Sequence, residues 1–250
     1  MTERYAFCLV SASPVRAEAK DPAEIVTQLL FGEIVTVHET NAPWSKITTF
    51  SDHYEGFVDH KHLFYLSEKE VRRWIESSDY QQSLMLEINS SNGKQIVYRG
   101  SRIPLDKGAA NIGKFEFELL SKDGTNYASV VEATADYLNA PYLWGGKSPF
   151  GIDCSGLTQT VYRFFGVNLP RDASQQYDIG IDVDFGDHEP GDLAYFANNS
   201  GKITHVGVIA ENEGIYHASG YVRLDTLSSE GIVHRDSGEL THNLAGIKRP

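Results

Sequence analysis

Cys154 lies in a segment whose composition suits a nucleophilic thiol. The residues around it are small or acidic: Gly145, Gly146, Gly151, Asp153, Ser155 and Gly156. The glycines allow other backbone segments to approach closely, which a cysteine that only fills space in a core does not need. A helix is predicted to begin at Cys154, where unpaired N–H groups and the helix dipole would lower the pKa of the thiol. We therefore interpret Cys154 as a nucleophile.

A thiolate nucleophile needs a base, and two of the nine histidines are placed to act together. His205 begins one predicted strand and His217 ends the next, so a hairpin through residues 211–214 would bring their rings side by side. One ring would take the thiol proton, and the other would fix its tautomer. The other histidines lie in the N-terminal half or in polar, turn-like surroundings: His38, His53, His60, His62, His188, His234 and His242.

A zinc site is the alternative interpretation, because one cysteine and two histidines would supply three zinc ligands. The closely spaced cysteine or histidine pairs typical of such sites are missing, so we expect no metal and no other cofactor. The sequence has no Gly-x-Ser-x-Gly elbow, phosphate-binding loop or dinucleotide-binding glycine pattern. Cys8, the only other cysteine, is interpreted as buried packing.

The charge balance excludes some partners. Thirty-four acidic residues against 22 basic ones give a formal charge of −12 at pH 7. Such a field repels phosphate backbones and anionic lipid surfaces, so we expect neither nucleic acid nor a membrane as partner. The apolar stretch Tyr5–Val10 is shorter than a secretory signal core, which needs about 7 residues or more. We therefore expect a cytoplasmic protein, and a monomer.

Two kinds of pattern divide the chain. Short apolar runs between turn residues predict a small all-β unit over residues 1–66, and strand-like runs predict a second one within residues 67–124, after a linker helix that begins at Ser67. From residue 125 the period becomes helical, over about 130–138 and again from Cys154 to Phe165, and strands follow after Gly191. Helices followed by an antiparallel sheet predict an α+β domain over residues 125–250.

A long segment then connects these residues to a known family. The run from Pro141 to Leu157, PYLWGGKSPFGIDCSGL, resembles the active-site segment of the NlpC-type cell-wall cysteine peptidases. Four shorter motifs continue the resemblance: Leu169-Pro170-Arg171-Asp172, Pro190-Gly191-Asp192-Leu193, Thr204-His205-Val206-Gly207-Val208 and Ile215-Tyr216-His217-Ala218-Ser219. The resemblance implies a circularly permuted papain-like α+β domain. It makes Cys154 the nucleophile, His205 the base and His217 the orienting third residue, with Tyr142 beside the oxyanion position.

The N-terminal half resembles, more weakly, the bacterial SH3-like barrels that precede this domain in γ-D-glutamyl-L-diamino acid endopeptidases. The matching segments are Phe31-Gly32-Glu33 and Tyr54-Glu55-Gly56-Phe57-Val58. The resemblance implies hydrolysis of murein stem peptides that have a free N-terminal L-Ala, during cell-wall peptide recycling. It assigns Glu33 and Tyr54 to the substrate ammonium. It also implies that four further residues line the substrate subsites: Asp153, Ser155, Arg171 and Asp172.

Two departures from the family pattern concern the substrate pocket. Ala173-Ser174 stands where two serines often follow Arg-Asp, and Phe57 stands where tryptophan is common. Two other functions stay open on the same residues. One is a non-catalytic peptidoglycan-binding module, and the other is an amidase or acyltransferase, because an amine can also resolve a thioester.

Overall fold

The computed structural model of the chain describes residues 4–104, 108–121 and 126–250. Contacts divide it into two compact units, Met1–Asn126 and Tyr127–Pro250. The predicted boundary between residues 124 and 125 lies outside the described residues. No helix within those described ranges is long and apolar enough to cross a membrane.

Antiparallel strands dominate the N-terminal unit. Its elements are β1 (Arg4–Cys8), β2 (Ala12–Arg16), β3 (Ile25–Leu30), β4 (Ile34–Asn41), β5 (Trp44–Thr49), β6 (Glu55–Asp59), a 3-10 turn (His60–His62), β7 (Leu63–Leu66), α1 (Glu68–Ser77), β8 (Ser78–Tyr80), β9 (Met85–Ser90), β10 (Gly93–Tyr98), β11 (Arg102–Pro104), β12 (Ala109–Ile112) and β13 (Phe115–Leu119). In the described part of this unit the sheets have the orders β3-β2-β6-β5-β4-β1-β7, β10-β9-β13-β12 and β11-β8.

Local signals explain the position of α1. Ser67 caps the helix in a capping box, since its backbone N–H donates to Glu70 Oε2 at 2.7 Å and its hydroxyl accepts from the Glu70 N–H. The helix buries Trp74, whose indole N–H donates to the Gly32 carbonyl at 3.0 Å. Phenylalanines from the two larger sheets meet in the same core: Phe7, Phe31, Phe115 and Phe117. This core joins the two larger sheets of the unit into one body.

The C-terminal unit packs short helices on one closed sheet. Its elements are α2 (Val130–Ala135), β14 (Lys147–Ser148), β15 (Gly151–Ile152), α3 (Cys154–Phe164), α4 (Ala173–Tyr177), β16 (Ile181–Val183), β17 (Leu193–Ala197), β18 (Ile203–Ile209), β19 (Gly214–Ser219), β20 (Tyr221–Leu227), β21 (Gly231–Val233) and β22 (Leu240–Arg249). The strand order is β16-β22-β17-β18-β19-β20-β21, and β21 also pairs with β22. The strands β17 to β22 therefore close on themselves.

Helix α2 is shorter than predicted, because it ends at Ala135 instead of near residue 138. The following backbone pairs with β20: the Asn139 N–H donates to the Val222 carbonyl, and the Val222 N–H donates to the Ala140 carbonyl, both at 2.8 Å. Asn139 adopts a positive φ of 68° at this point. The Tyr137 and Leu138 N–H groups donate to the carbonyls three residues back, so the helix ends in a tighter turn just before this pairing begins.

The register of three neighbouring strands places polar side chains on one face of the sheet. His217 on β19 lies opposite Gly207 on β18 and opposite Arg223 on β20. Because side chains alternate along a strand, His205 shares the face of Gly207, and Asp225 shares the face of Arg223. Strand β20, which carries Asp225, was not among the predicted strands.

Candidate active site

Cys154 occupies the first position of α3, where the helix was predicted to begin, and Asp153 caps that helix. The carboxylate of Asp153 accepts the N–H groups of Gly156 and Gly145, each at 2.7 Å. An ideal Cβ on Gly156 would lie 2.3 Å from the Gly146 carbonyl oxygen, so only glycine lets the two segments come this close. The glycine-rich sequence around the cysteine therefore serves to seat the start of α3 against the preceding loop.

A buried ion pair holds the same helix terminus. Arg171 donates from Nη2 to Asp153 Oδ2 at 2.6 Å and from Nη1 to Asp153 Oδ1 at 3.0 Å. Its Nη1 also lies 2.9 Å from Ser155 Oγ. Next to it, Asp172 precedes α4 and donates its backbone N–H to the Gln175 side chain at 3.2 Å. The structure thus gives Asp153, Ser155 and Arg171 a supporting role, and the substrate contacts assigned to all four residues stay a prediction.

The two histidines of the late hairpin lie together. His205 Nε2 is 3.0 Å from His217 Nδ1, and the ring planes are nearly perpendicular at 87°. Both residues are buried, His217 completely so. Gly207 lies opposite His217, and a Cβ there would lie 2.8 Å from the Ile215 side chain, so glycine lets β18 and β19 pack closely beside the two rings.

Asp225 extends this pair of histidines into a hydrogen-bonded chain. It is not among the site residues predicted from the sequence. His217 Nε2 lies 3.0 Å from Asp225 Oδ2. The same carboxylate accepts from Arg223 Nε at 2.7 Å and from the Arg235 backbone N–H at 3.0 Å. Burial raises the pKa of Asp225, but these three donors outweigh it and hold that pKa below its ordinary value. The carboxylate is therefore ionised at neutral pH.

An ionised Asp225 determines the tautomer of each ring. A carboxylate only accepts hydrogen bonds, so His217 Nε2 must carry a proton. A neutral His217 then has its lone pair on Nδ1, which accepts from His205 Nε2–H. The remaining lone pair is on His205 Nδ1, which becomes the proton-accepting atom of the chain. Burial, followed by the charges of His217 and His242, lowers the pKa of His205 well below 6.5, so this lone pair is available at neutral pH.

The expectation that the thiol pKa is lowered is wrong for this structure. Burial raises the pKa of Cys154 to about 12, and the Asp153 carboxylate raises it further. The backbone N–H groups of Val206 and Ser155 and the charge of Arg171 act in the opposite direction without overcoming burial. The hydrogen bond from Val206 also places the sulfur against the residue that follows His205. The resting pair is a neutral thiol and a neutral imidazole.

Tyr142 lies within electrostatic range of the thiol. Burial, then electrostatic interactions with Cys154 and with the Asp153 carboxylate, raise the pKa of its half-buried hydroxyl. Its backbone N–H donates to the Gly220 carbonyl at 2.9 Å and fixes the segment beside the β19–β20 turn. The hydroxyl keeps its proton at neutral pH and can donate a hydrogen bond to an oxyanion.

His242 also belongs to this cluster, although its surroundings in the sequence predict a turn. It lies on β22, and its ring stacks on that of His205 with centroids 4.3 Å apart. The two strands are not neighbours along the chain, but both pair with β17, β18 on one side and β22 on the other, and this brings the rings together.

The N-terminal unit places Glu33 and Tyr54 in different surroundings. Glu33 follows the turn after β3 and is only 6% exposed, and its Oε2 accepts the Leu30 N–H at 2.7 Å. A small cavity beside it is lined by Glu33, Ile34, Phe50, Ser51, Ile75, Tyr80 and Arg102. Tyr54 is partly exposed just before β6, where its backbone N–H donates to Thr49 Oγ1 at 2.8 Å. Cys8 is fully buried, in the core beneath the sheet that contains β1.

Two sequence-family models match the chain: residues 139–238 match the NlpC/P60 family, and residues 15–63 match the bacterial dipeptidyl-peptidase SH3 domain. A γ-D-glutamyl-L-lysine dipeptidyl-peptidase from Bacillus cereus is 27% identical over 248 residues, which cover 86% of this chain and 74% of that protein. A protein of the same name from Bacillus subtilis is 40% identical over 91 residues, or 36% of this chain and 31% of that protein.

A solved structure supports the same fold. The crystal structure of an NlpC/P60 family protein from Bacillus cereus has a TM-score of 0.82 and 22% identity to this chain, and the match covers 98% of this chain and 99% of that one. Together with the family matches, it confirms the predicted fold class, a papain-like α+β domain that follows an SH3-like region.

Proposed function

We propose that the chain, whose residues 139–238 match the NlpC/P60 family, is a cysteine peptidase that hydrolyses the amide between γ-D-glutamate and an L-diamino acid in peptidoglycan stem peptides. The observation that carries this proposal is the continuous hydrogen-bonded chain from the His205 ring to His217 and Asp225. His205 lies on β18, the strand whose Val206 N–H also donates to the Cys154 thiol. The names of the relatives support the γ-D-glutamyl specificity.

The geometry supports a mechanism that starts from neutral groups. The Cys154 sulfur attacks the amide carbonyl as His205 Nδ1 takes the thiol proton, which forms a tetrahedral intermediate. The backbone N–H of Cys154, which has no helical acceptor at the first position of α3, and the Tyr142 hydroxyl stabilise the oxyanion. The His205 imidazolium protonates the leaving amine and leaves a thioester. Water, deprotonated by His205, then hydrolyses this thioester and restores the thiol.

The Asp225 carboxylate, at the end of the hydrogen-bonded chain His205–His217–Asp225, explains why the buried His205 ring can carry a positive charge. When His205 takes the thiol proton, its positive charge lies in a line with His217 and the Asp225 carboxylate. Arg223 balances Asp225 at rest and holds its orientation. Asp225 is thus a positioning residue that acts through His217 and does not touch substrate.

We propose further that Glu33 and Tyr54 bind the free ammonium group of an N-terminal L-Ala, and that the enzyme acts as a monomer in cytoplasmic recycling of murein peptides. The position of the Glu33 carboxylate supports this, because it is buried beside a small cavity and a buried carboxylate gains most from a cation.

The test compares L-Ala-γ-D-Glu-L-Lys, the corresponding diaminopimelate peptide and their N-acetylated forms, with products identified by mass spectrometry. We expect release of the dipeptide L-Ala-D-Glu, complete loss of turnover in Cys154→Ala or after thiol alkylation, and no effect of chelators. Binding of the peptides without cleavage would instead favour the non-catalytic module, and transfer of the acyl group to an added amine would favour an acyltransferase.

Amine recognition has its own control. Glu33→Gln should lower kcat/KM for the free-amine peptide about 10- to 100-fold, the worth of a hydrogen bond to a charged group, and leave the acetylated peptide unaffected. Glu39→Gln, at an exposed position on β4, should change neither. Equal cleavage of free and acetylated peptides by the native enzyme would remove the amine-recognition proposal and leave the peptidase proposal standing.

A further inference from the structure

Three imidazoles from three different strands converge on one point. One ring nitrogen from each of His205, His217 and His242 lies within 4.8 Å of the other two. We propose that these histidines form a regulatory site for a divalent cation of the zinc type, and that cation binding there switches the catalytic pair off. The cation would be an inhibitor and takes no part in the peptidase reaction.

The spacing of two of the nitrogens already approaches that of a tetrahedral zinc site. Zinc–nitrogen bonds of 2.0–2.1 Å in such a site place two ligand nitrogens about 3.3 Å apart. His205 Nε2 and His217 Nδ1 are 3.0 Å apart. The hydrogen bond aims these two nitrogens at each other, and the partly buried His242 ring stacks on that of His205, so His242 and one ring of the pair must turn before all three nitrogens face one cation. Three histidines with a water in the fourth position are a common zinc coordination.

Two of the three rings already have the outer partners that zinc-binding histidines need. His217 presents Nδ1 toward the cluster while its Nε2–H donates to Asp225 at 3.0 Å, which is the carboxylate–histidine arrangement found behind metal ligands. His242 Nδ1 lies 2.9 Å from Thr241 Oγ1, which leaves Nε2 as its ligand atom. Such partners fix the ring orientation and the tautomer that a metal requires.

The inhibitory effect follows from the proton on His205. In the resting enzyme, the proton of His205 is on Nε2 and the lone pair is on Nδ1. A cation bound at Nε2 requires the lone pair there, so the proton moves to Nδ1 within the same ring and no proton is released. His205 then has no lone pair for the thiol proton. Inhibition therefore rests on the proposed function, whereas cation binding by the three rings does not.

Titration calorimetry of Zn²⁺ into the Cys154→Ala chain tests binding without turnover and without the thiol as a competing ligand. We expect one site per chain. Its affinity should fall at least about 10- to 100-fold in Cys154→Ala/His242→Asn, since loss of even an outer partner costs a metal site that much. Cys154→Ala/His188→Asn, changed at a histidine outside the cluster, should retain it. His242→Gln is the second variant, and circular dichroism checks that each chain is folded.

Peptidase activity is the second measurement. For each variant, the rate with added Zn²⁺ is compared with the rate of the same variant in chelator-treated buffer. Zn²⁺ should inhibit the native enzyme reversibly, and His242→Asn should need at least about 10-fold more Zn²⁺ for half inhibition. Equal zinc affinity with and without His242, or no binding by Cys154→Ala, would overturn the site. Zinc binding by Cys154→Ala with no peptidase activity in the native chain would contradict the proposed function and leave the site intact.

Discussion

His217 Nε2 and Asp225 Oδ2 lie 3.0 Å apart in the interior of the closed sheet, and this contact determines which nitrogen of His205 accepts a proton. Asp225 is 3% exposed, and its other donors come from Arg223 and from the Arg235 backbone. The carboxylate therefore controls a proton two rings away.

Asp225→Asn tests this control. The asparagine amide can donate to His217 Nε2 and thereby stabilise the opposite tautomers of both rings, which puts the proton on His205 Nδ1. We expect kcat to fall about 10²- to 10⁴-fold, as general-base catalysis and the tautomer are lost together, with a small change in KM. Asp182→Asn, at an exposed position on β16, is the control. A variant that keeps kcat within about threefold of the native value would show that Asp225 has only a structural role.

The second prediction concerns pH. The pKa of His205 lies well below 6.5 and that of Cys154 is raised to about 12, in both cases mainly by burial. The active form has a neutral imidazole, so kcat/KM should decline as pH falls through the His205 pKa and stay level from pH about 7 to 9. An enzyme with a resting thiolate–imidazolium pair would instead lose activity in the alkaline range.

Alkylation measures the same thiol without substrate. Iodoacetamide should modify Cys154 slowly at neutral pH and faster as pH rises, because only the thiolate reacts. Cys154→Ala corrects for any reaction of Cys8. Fast alkylation at pH 5 would contradict the neutral resting pair.

The third prediction concerns the ion pair behind the nucleophile. Arg171→Met leaves the Asp153 carboxylate buried without its guanidinium, and breaking a buried pair in this way costs about 3–5 kcal/mol of unfolding free energy. Asp153→Asn/Arg171→Met should lose less than the sum of the two single changes. Lys248→Met, whose partner Asp182 is exposed, should cost about 1 kcal/mol or less in urea unfolding. Additive losses for Asp153 and Arg171 would contradict direct coupling.

The fourth prediction concerns Gly156. By helix propensity alone, Gly156→Ala would stabilise α3 by about 1 kcal/mol. The new methyl would, however, meet the Gly146 carbonyl oxygen at 2.3 Å, and backbone cannot move aside easily. We expect a net loss of about 1–3 kcal/mol in urea unfolding, as overpacked positions show, together with lower kcat. Gly201→Ala, where φ is +80° but no atom lies within 4 Å, measures backbone strain without a clash. A stabilised Gly156→Ala would show that the approach of the two segments is not tight.

Features encoded by neighbouring residues were the ones that the sequence could predict. The cap of α1 at Ser67 and that of α3 at Asp153 each depend on a residue three positions away. The pairing of His205 with His217 depends on one hairpin. The family resemblance supplied the papain-like fold, which no periodicity in the chain indicates by itself.

The features that were missed depend on long-range structure. Asp225 looks like a surface or turn residue in the sequence, because a buried carboxylate is recognised only by its donors. His242 reaches His205 because β22, the last strand of the chain, and β18 both pair with β17. The pKa of Cys154 was predicted in the wrong direction because the helix terminus is visible in the sequence, whereas the burial that outweighs it is a property of the packed fold.

The turn between β19 and β20 has a consequence for how this fold can change. Ser219 pairs with Tyr221 around the single residue Gly220, whose φ is +74°, and this turn sets the partner of every later residue in β20. Inserting or deleting one residue there would move Asp225 to the outer side of the sheet and break its contact with His217. The length of this hairpin therefore determines whether the groups that move protons meet, although the turn itself supplies none of those groups.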